Sequence, residues 1–228
     1  MTLMMTESRR IRLAAFDFDG TLVQTEALGM RYTIHQLREN HIAFTHDDIA
    51  ALSGANGDTR SIVMNARFGS QPGWQYCRED IIHMHGFGHV NMNTIVSANA
   101  AILLSWLVHH GTVCAVCTNS SAQRVKKGLQ EIGLDWYIQR VYSAQNGGYP
   151  KPDPWVYHQA MKDARSSGRE TIVLEDSKVG IEAGKRAGAF VISLRDHDGY
   201  CDQRQADQRV DDLAEVIGIV RKLERQER

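Results

Sequence analysis

The chain has no excess of either charge: its 228 residues include 26 basic and 27 acidic side chains, a formal net charge of −1. Such a balance offers no electrostatic footprint for nucleic acid or an anionic membrane, so we expect neither as a partner. No apolar run reaches the roughly 18 to 20 residues of a membrane span, and residues 1–10 lack the apolar core of a signal peptide. Four cysteines do not make a disulfide scaffold in a chain of this length. These absences favour a cytoplasmic protein.

The pattern that is present from Thr94 onward is an alternation of short β-rich apolar runs with amphipathic helical segments. Together with an apolar run near the start of the chain, these runs predict strands at 11–16, 112–117, 141–142, 171–174 and 190–194. Alternating strands and helices of this length imply right-handed crossovers and a parallel sheet. The predicted fold class is therefore α/β, with a Rossmann-like parallel sheet.

Between the first strand and Thr94 the sequence carries helical signals and almost no strand signal. Met30, Ile34 and Leu37 recur at helical spacing, and Thr45 is a good N-cap for a short helix. We therefore predict a core domain made of residues 1–26 and 95–228. An all-helical cap domain, residues 27–94, is inserted into it.

Polar side chains follow the predicted strands at the points where the strands end. Because the carboxyl ends of parallel strands meet at one edge of a sheet, these side chains are expected to share a pocket. The residues are Asp17 and Asp19 after the first strand, Thr118 and Asn119 after the second, Lys151 in the loop after the third, and Glu175 and Asp176 after the fourth.

The composition of these loops restricts the reaction. They contain no histidine or cysteine, which excludes a Ser-His-Asp or Cys-His nucleophile system. Crowded carboxylates repel one another unless a cation neutralises them, and an all-oxygen ligand set suits Mg²⁺. A lysine and a hydroxyl then remain to hold anionic oxygens. This equipment is typical of phosphoryl transfer, with one carboxylate as the covalent nucleophile.

Four motifs in this order and spacing resemble those of the haloacid dehalogenase-like (HAD) superfamily. The helical insertion after the first strand is similar to the type 1 cap of the branch that holds β-phosphoglucomutases and phosphoglycolate phosphatase-like enzymes. The motifs are Asp17-Phe18-Asp19-Gly20-Thr21, Thr118 after an apolar strand, Lys151 in Pro-Lys-Pro-Asp-Pro, and Glu175-Asp176-Ser177 before Gly180-Ile181-Glu182-Ala183-Gly184.

The resemblance implies a role for each motif residue. Asp17 would attack phosphorus, and Asp19 would protonate the leaving oxygen and later deprotonate water. Thr118 would hydrogen-bond the phosphoryl group with the Asn119 amide, and Lys151 would hold both the phosphoryl oxygens and Asp17. The implied ligands of Mg²⁺ are the carboxylates of Asp17 and Asp176 and the carbonyl of Asp19, with Glu175 helping directly or through water.

The acid Asp19 favours a phosphatase over the dehalogenases and phosphonate-cleaving relatives of the superfamily, which do not need an acid/base there. A sugar-phosphate mutase is the alternative, but the resemblance then predicts a histidine in the hinge, and residues 24–29 contain none. A further alternative is a phosphoprotein or binding module that does not turn over. We expect Mg²⁺-dependent hydrolysis of a small phosphorylated metabolite through an aspartyl-phosphate.

The predicted cap holds weaker candidates. Asn56 and Arg60 are polar groups that could determine substrate specificity, as could His83. His83, His85 and His89 cluster in a way that could suggest a transition-metal site, but we expect them to be surface histidines.

Cys114 and Cys117 have a metal-binding spacing as well. They lie within a predicted strand, however, where a separation of three directs their side chains to opposite faces. We therefore expect both cysteines to pack in the core.

Overall fold

The computed structural model describes residues 10–53, 57–85 and 90–225. The described residues form six strands in one parallel sheet, with the order β3-β2-β1-β4-β5-β6. The predicted α/β parallel fold is thereby confirmed. The strands are β1 Leu13–Phe16, β2 Val113–Thr118, β3 Arg140–Ser143, β4 Thr171–Glu175, β5 Phe190–Leu194 and β6 Gln208–Val210.

Nine α-helices are described. Four of them follow β1 directly: α1 Thr25–Glu39, α2 His46–Ala50, α3 Gly57–Phe68 and α4 Trp74–His85. The other five are interspersed with the remaining strands, with no helix described between β5 and β6: α5 Ala100–His109, α6 Ala122–Glu131, α7 Trp155–Ala164, α8 Lys178–Arg186 and α9 Glu215–Arg225. Among the residues that the structure describes, no helix combines the length and the apolar character that crossing a bilayer requires.

The central strand β1 is buried on both faces and divides the core of the sheet into two layers. Ala14 and Phe16 pack in one layer, and Leu13 and Ala15 pack in the other, as the two-residue period of a strand requires. Cys114 and Cys117 on β2 fall in different layers in the same way, and both are fully buried.

Helices α1 to α4 bury a hydrophobic cluster of their own. It includes Leu37, Ile49, Phe68, Trp74 and Ile81, none of which belongs to the two sheet layers. The short helix α2 begins with a capping box, because Thr45 and Asp48 exchange hydrogen bonds across its first turn. A separate cluster agrees with a helical insertion, while the exact domain limits at residues 26–27 and 94–95 stay a prediction.

Two chain segments connect this helical cluster to the sheet, and they are bonded to each other. The backbone of Val23 in the outgoing segment pairs with that of Val96 in the returning one. The Gln24 side-chain amide donates to the Ser97 hydroxyl at 2.7 Å, and the Ser97 hydroxyl donates to the carbonyl of Thr21 at 2.6 Å. The hinge is therefore held by side chains as well as by backbone, close to the end of β1.

Candidate active site

Asp17 follows β1 immediately, and its backbone N–H donates to the carbonyl of Leu174 on β4 at 2.8 Å. Its carboxylate accepts a hydrogen bond from Lys151 Nζ at 2.6 Å. The same ammonium group donates to Glu175 Oε1 at 2.6 Å and to the carbonyl of Cys117 at 2.8 Å. An ammonium group has three protons, so all three are used. One lysine therefore hydrogen-bonds to the ends of three neighbouring strands, β2, β1 and β4.

Lys151 is a buried cation, since its side chain is only 2% exposed. Burial alone would lower the pKa of its ammonium group, but the carboxylates of Asp17 and Glu175 raise that pKa well above its ordinary value. The lysine therefore stays charged and supplies a fixed positive charge beside Asp17.

The two predicted phosphoryl-binding residues lie at the same edge of the sheet. Thr118 is the last residue of β2 and is buried, and its hydroxyl accepts a hydrogen bond from the Ser120 N–H at 2.9 Å. The side-chain oxygen of Asn119 accepts from the Lys151 N–H at 2.9 Å. Asn119 therefore joins the loop after β2 to the loop that carries Lys151.

Glu175 is a fully buried carboxylate that is surrounded by donors. Oε1 accepts from Lys151 and from the Tyr157 hydroxyl, the latter at 2.8 Å, and Oε2 accepts from the Ser177 hydroxyl at 3.1 Å. Burial, followed by the charge of Glu175, raises the pKa of Tyr157 well above its usual range, so its hydroxyl keeps the donating proton. The main contact of Glu175 is therefore with Lys151, which it helps to orient.

Three acids could hold a metal ion. Asp17, Glu175 and Asp176 each offer a carboxylate oxygen, and these oxygens all lie within 4.8 Å of one another. Gly20 makes room for this arrangement: a Cβ atom added to it would lie 2.0 Å from Asp176 Oδ2. Its φ of +86° also favours glycine. The Asp19 carboxylate is not a member of this group of three.

The electrostatics of this group fit a divalent cation. Burial raises the pKa of Asp17 to about 8, and the charges of Glu175 and Asp19 add to the effect, while Lys151 offsets it only in part. Burial and the charges of Glu175 and Asp17 also raise the pKa of Asp176 well above its ordinary value. One ammonium group is too little positive charge for these acids, and an all-oxygen donor set matches a hard ion such as Mg²⁺.

The carboxylate of Asp19 is bound by an arginine that the sequence did not single out. Arg124 Nη1 donates to Oδ2 and Nη2 donates to Oδ1, both at 2.7 Å. Burial would raise the pKa of Asp19, but the Arg124 guanidinium, with hydrogen bonds from Thr25 and Ser120, outweighs it and holds that pKa below its ordinary value. Asp19 is therefore an anion in this arrangement.

A cavity of about 110 Å³ opens beside the candidate metal ligands. Gly20 and Asp176 line it from the sheet, Gln24 and Glu26 from the hinge and the start of α1, and Tyr200 from the segment that follows β5. The cavity gives a small molecule a route to Asp176 along the hinge.

The candidates predicted in the cap are placed differently. Arg60 is 4% exposed and donates both to Glu26 Oε1, at 3.0 Å, and to Glu26 Oε2, at 2.8 Å, so its charge is directed at α1. A role in substrate specificity stays a prediction for Arg60, as it does for the exposed His83. Asn56, His89 and the side chain of His85 lie outside the described residues.

The fold and this strand-end arrangement define an α/β protein with a buried lysine among carboxylates, of a kind suited to phosphoryl groups. Residues 14–194 match the family model described as "Haloacid dehalogenase-like hydrolase". Because that match covers most of the chain, the protein belongs to the haloacid dehalogenase-like hydrolase family, and it is classed as an enzyme on that basis.

Curated relatives match nearly full length at low identity. The validoxylamine A 7'-phosphate phosphatase of Streptomyces hygroscopicus subsp. limoneus is 25% identical over 90% of this chain and 95% of the relative. The pyrophosphatase PpaX of Anoxybacillus flavithermus is 24% identical over 92% of this chain and 98% of the relative. Both relatives are named as phosphatases.

Solved structures share the fold. A β-phosphoglucomutase from Clostridium difficile superposes with a TM-score of 0.70 at 15% identity, covering 94% of this chain and 97% of the other. A HAD family hydrolase from Deinococcus radiodurans R1, with bound phosphate and sodium, gives a TM-score of 0.72 at 21% identity. Coverage in that case is 95% of this chain and 97% of the other.

Proposed function

We propose that the protein is a Mg²⁺-dependent phosphatase that hydrolyses a small phosphate monoester through an aspartyl-phosphate on Asp17. The observation that carries the proposal is the contact of Lys151 Nζ with both Asp17 and Glu175, beside the three carboxylates that could hold a metal. A buried lysine of this kind neutralises charge where an anionic phosphoryl group gains it. Two relatives named as phosphatases support the same class of reaction.

The chain's own residues account for both chemical steps. In the first, Asp19 has taken up a proton from solvent, an Asp17 oxygen bonds to phosphorus, the bond from phosphorus to the leaving oxygen breaks, and Asp19 passes its proton to that oxygen. In the second, a water oxygen bonds to phosphorus and gives a proton to Asp19, and the bond from phosphorus to Asp17 breaks. The Thr118 hydroxyl donates to a phosphoryl oxygen throughout, and Lys151 redirects one of its three occupied N–H donors to a phosphoryl oxygen when the substrate binds. Inorganic phosphate and the free alcohol leave.

The residues that would hold Mg²⁺ are Asp17 and Asp176 through their carboxylates, Asp19 through its carbonyl, and Glu175 directly or through water. When bound, the ion would offset the repulsion among these acids and polarise the phosphoryl group.

The test is phosphate release from a panel of phosphorylated metabolites, pyrophosphate and an aryl phosphate, with and without Mg²⁺. We expect steady release that needs Mg²⁺ and is abolished by Asp17→Asn. Asp163→Asn, the same change at a partly exposed carboxylate paired with Arg140, should leave the rate unchanged. Full activity of Asp17→Asn would contradict the covalent mechanism.

Two other results would favour the alternatives. A single stable burst of phosphorylation per chain, without steady release, would favour a signalling protein. Return of the phosphoryl group to a sugar phosphate would favour a mutase.

A further inference from the structure

The proposed mechanism does not explain why the Asp19 carboxylate accepts four hydrogen bonds. Oδ1 accepts from the Thr25 hydroxyl at 2.6 Å and from Arg124 Nη2 at 2.7 Å. Oδ2 accepts from the Ser120 hydroxyl at 2.7 Å and from Arg124 Nη1 at 2.7 Å. A carboxylate offers about four lone-pair positions, so these four donors fill them all.

A carboxylate in this state cannot exchange a proton with a leaving oxygen or with water until one of its donors leaves. The two Arg124 bonds form a charge-assisted fork, and such bonds are about twice as strong as neutral ones. A neutral hydroxyl of a substrate is therefore a poor competitor for the guanidinium. Another oxyanion, in contrast, offers Arg124 a partner of the same strength as Asp19.

Arg124 lies where a ligand could reach it. It stands in the first turn of α6, just after the loop that begins at Thr118, and its side chain is 24% exposed. Thr25, which also donates a hydrogen bond to the Asp19 carboxylate, is the first residue of α1. The guanidinium therefore lies at the junction of the helical cluster and the sheet, bonded to Asp19 and partly open to solvent.

We propose that Arg124 determines specificity by holding Asp19 until the leaving part of the substrate presents a second oxyanion. That carboxylate or phosphate takes the guanidinium fork, and Asp19 is then released for the proton transfers described above. The inference rests on the proposed function and names its substrate class: small phosphate esters whose leaving group carries a second anionic group.

The test compares substrates that differ only in that group: phenyl phosphate against its 3-carboxy and 4-carboxy derivatives. For the unmodified protein we expect kcat to be roughly tenfold higher with the better carboxylated ester, near the lower end of what a charged hydrogen bond contributes. In Arg124→Gln the ratio of the two kcat values should fall to about one. Arg124→Lys should be intermediate, because lysine keeps the charge and loses the fork.

The matched control is Lys127→Gln, which removes a charge from an exposed position of the same helix and should keep the ratio. Each ratio compares two substrates on one preparation, so partial unfolding of a variant does not imitate the expected result. A carboxyl effect on KM alone, or an unchanged kcat ratio in Arg124→Gln, would overturn the proposal. The latter result would mean that the carboxylate raises kcat through a group other than Arg124.

Failure of the proposed function would be recognised separately, as absence of hydrolysis of every ester. Calorimetric titration with phenylphosphonate and its carboxylated derivatives then tests, without turnover, whether Arg124 binds a second anionic group. The unmodified protein should prefer a carboxylated phosphonate roughly tenfold, and Arg124→Gln should not. Equal affinities in the unmodified protein would contradict the role of Arg124.

Discussion

Replacing Lys151 with methionine tests the electrostatics of the site. The substitution keeps the length of the side chain but removes an ammonium group that is 2% exposed and contacts two buried carboxylates at 2.6 Å. Breaking a buried ion pair by removing one partner costs about 3–5 kcal/mol. In a chain of this size each kcal/mol lowers Tm by about 2–4 °C, so we expect a decrease of roughly 6–20 °C.

The loss of stability caused by Lys151→Met should also depend on pH and be larger at high pH. Without the lysine, whose charge lowers the pKa of Asp17, that pKa rises further, so the folded state binds more protons than the unfolded chain. Stability then falls as pH rises, because the unfolded state releases its protons first. The difference in unfolding free energy between the variant and the unmodified protein should therefore be larger at pH 8 than at pH 5.5.

Urea unfolding at both pH values, without added metal, measures this difference. Lys185→Met is the control, since the pair of Lys185 with Asp207 has the same 2.6 Å distance but a lysine side chain that is 37% exposed. Such a surface pair contributes about 0–1 kcal/mol. If Lys151→Met lowered the unfolding free energy no more than Lys185→Met does, the buried ion pairs of Lys151 could not be stabilising the site.

Three further predictions concern the same cluster. Gly20→Ala should abolish Mg²⁺ binding and activity, measured by titration and phosphate release, because its Cβ would collide with Asp176 Oδ2. Tyr157→Phe should lower the unfolding free energy by about 1.5–3 kcal/mol in urea titrations, since Glu175 loses a buried hydrogen bond, whereas an effect below 0.5 kcal/mol would contradict that contact. The Mg²⁺ affinity should weaken as pH falls from 8 to 6, up to about tenfold per pH unit for each proton displaced, because the pKa of Asp17 is raised to about 8; a pH-independent affinity by calorimetry would contradict this.

The position of the site was predictable because it depends on local patterns and one topological rule. Buried apolar runs ending in Asp17, Thr118 and Glu175 identify the strands, and parallel strands bring their ends together. The role of Glu175 was harder to interpret. Both carboxylate oxygens of Glu175 accept hydrogen bonds. These bonds depend on which residues the fold places next to Glu175, so the sequence around Glu175 does not predict them.

Arg124 and Tyr157 were missed for a physical reason. Both lie on amphipathic helices, where a long polar side chain is normally solvated, and their partners are 105 and 18 residues away in sequence. The only available signal was position, since Arg124 stands six residues after Thr118 at the start of a helix that faces the strand ends. The pairing of Arg60 with Glu26 was also not predictable, because the two residues lie on different helices, and the role of Arg60 in specificity stays a prediction.

The strand β6 was also not predicted. It has three residues, of which Gln208 and Arg209 are exposed and only Val210 is buried, so its sequence carries no apolar run. Its place at the sheet edge follows from pairing with β5, which is a tertiary effect.

The most direct test of the account is to look for the phosphoryl group on Asp17 itself. The protein is mixed with Mg²⁺ and the best substrate of the panel, quenched in acid during turnover, digested and examined by mass spectrometry. We predict that the peptide containing Asp17 gains the mass of one phosphoryl group, that the modification maps to Asp17, and that it is absent from Asp17→Asn. Steady phosphate release with no phosphorylated peptide at any quench time, or a phosphoryl group on another residue, would contradict the proposed mechanism.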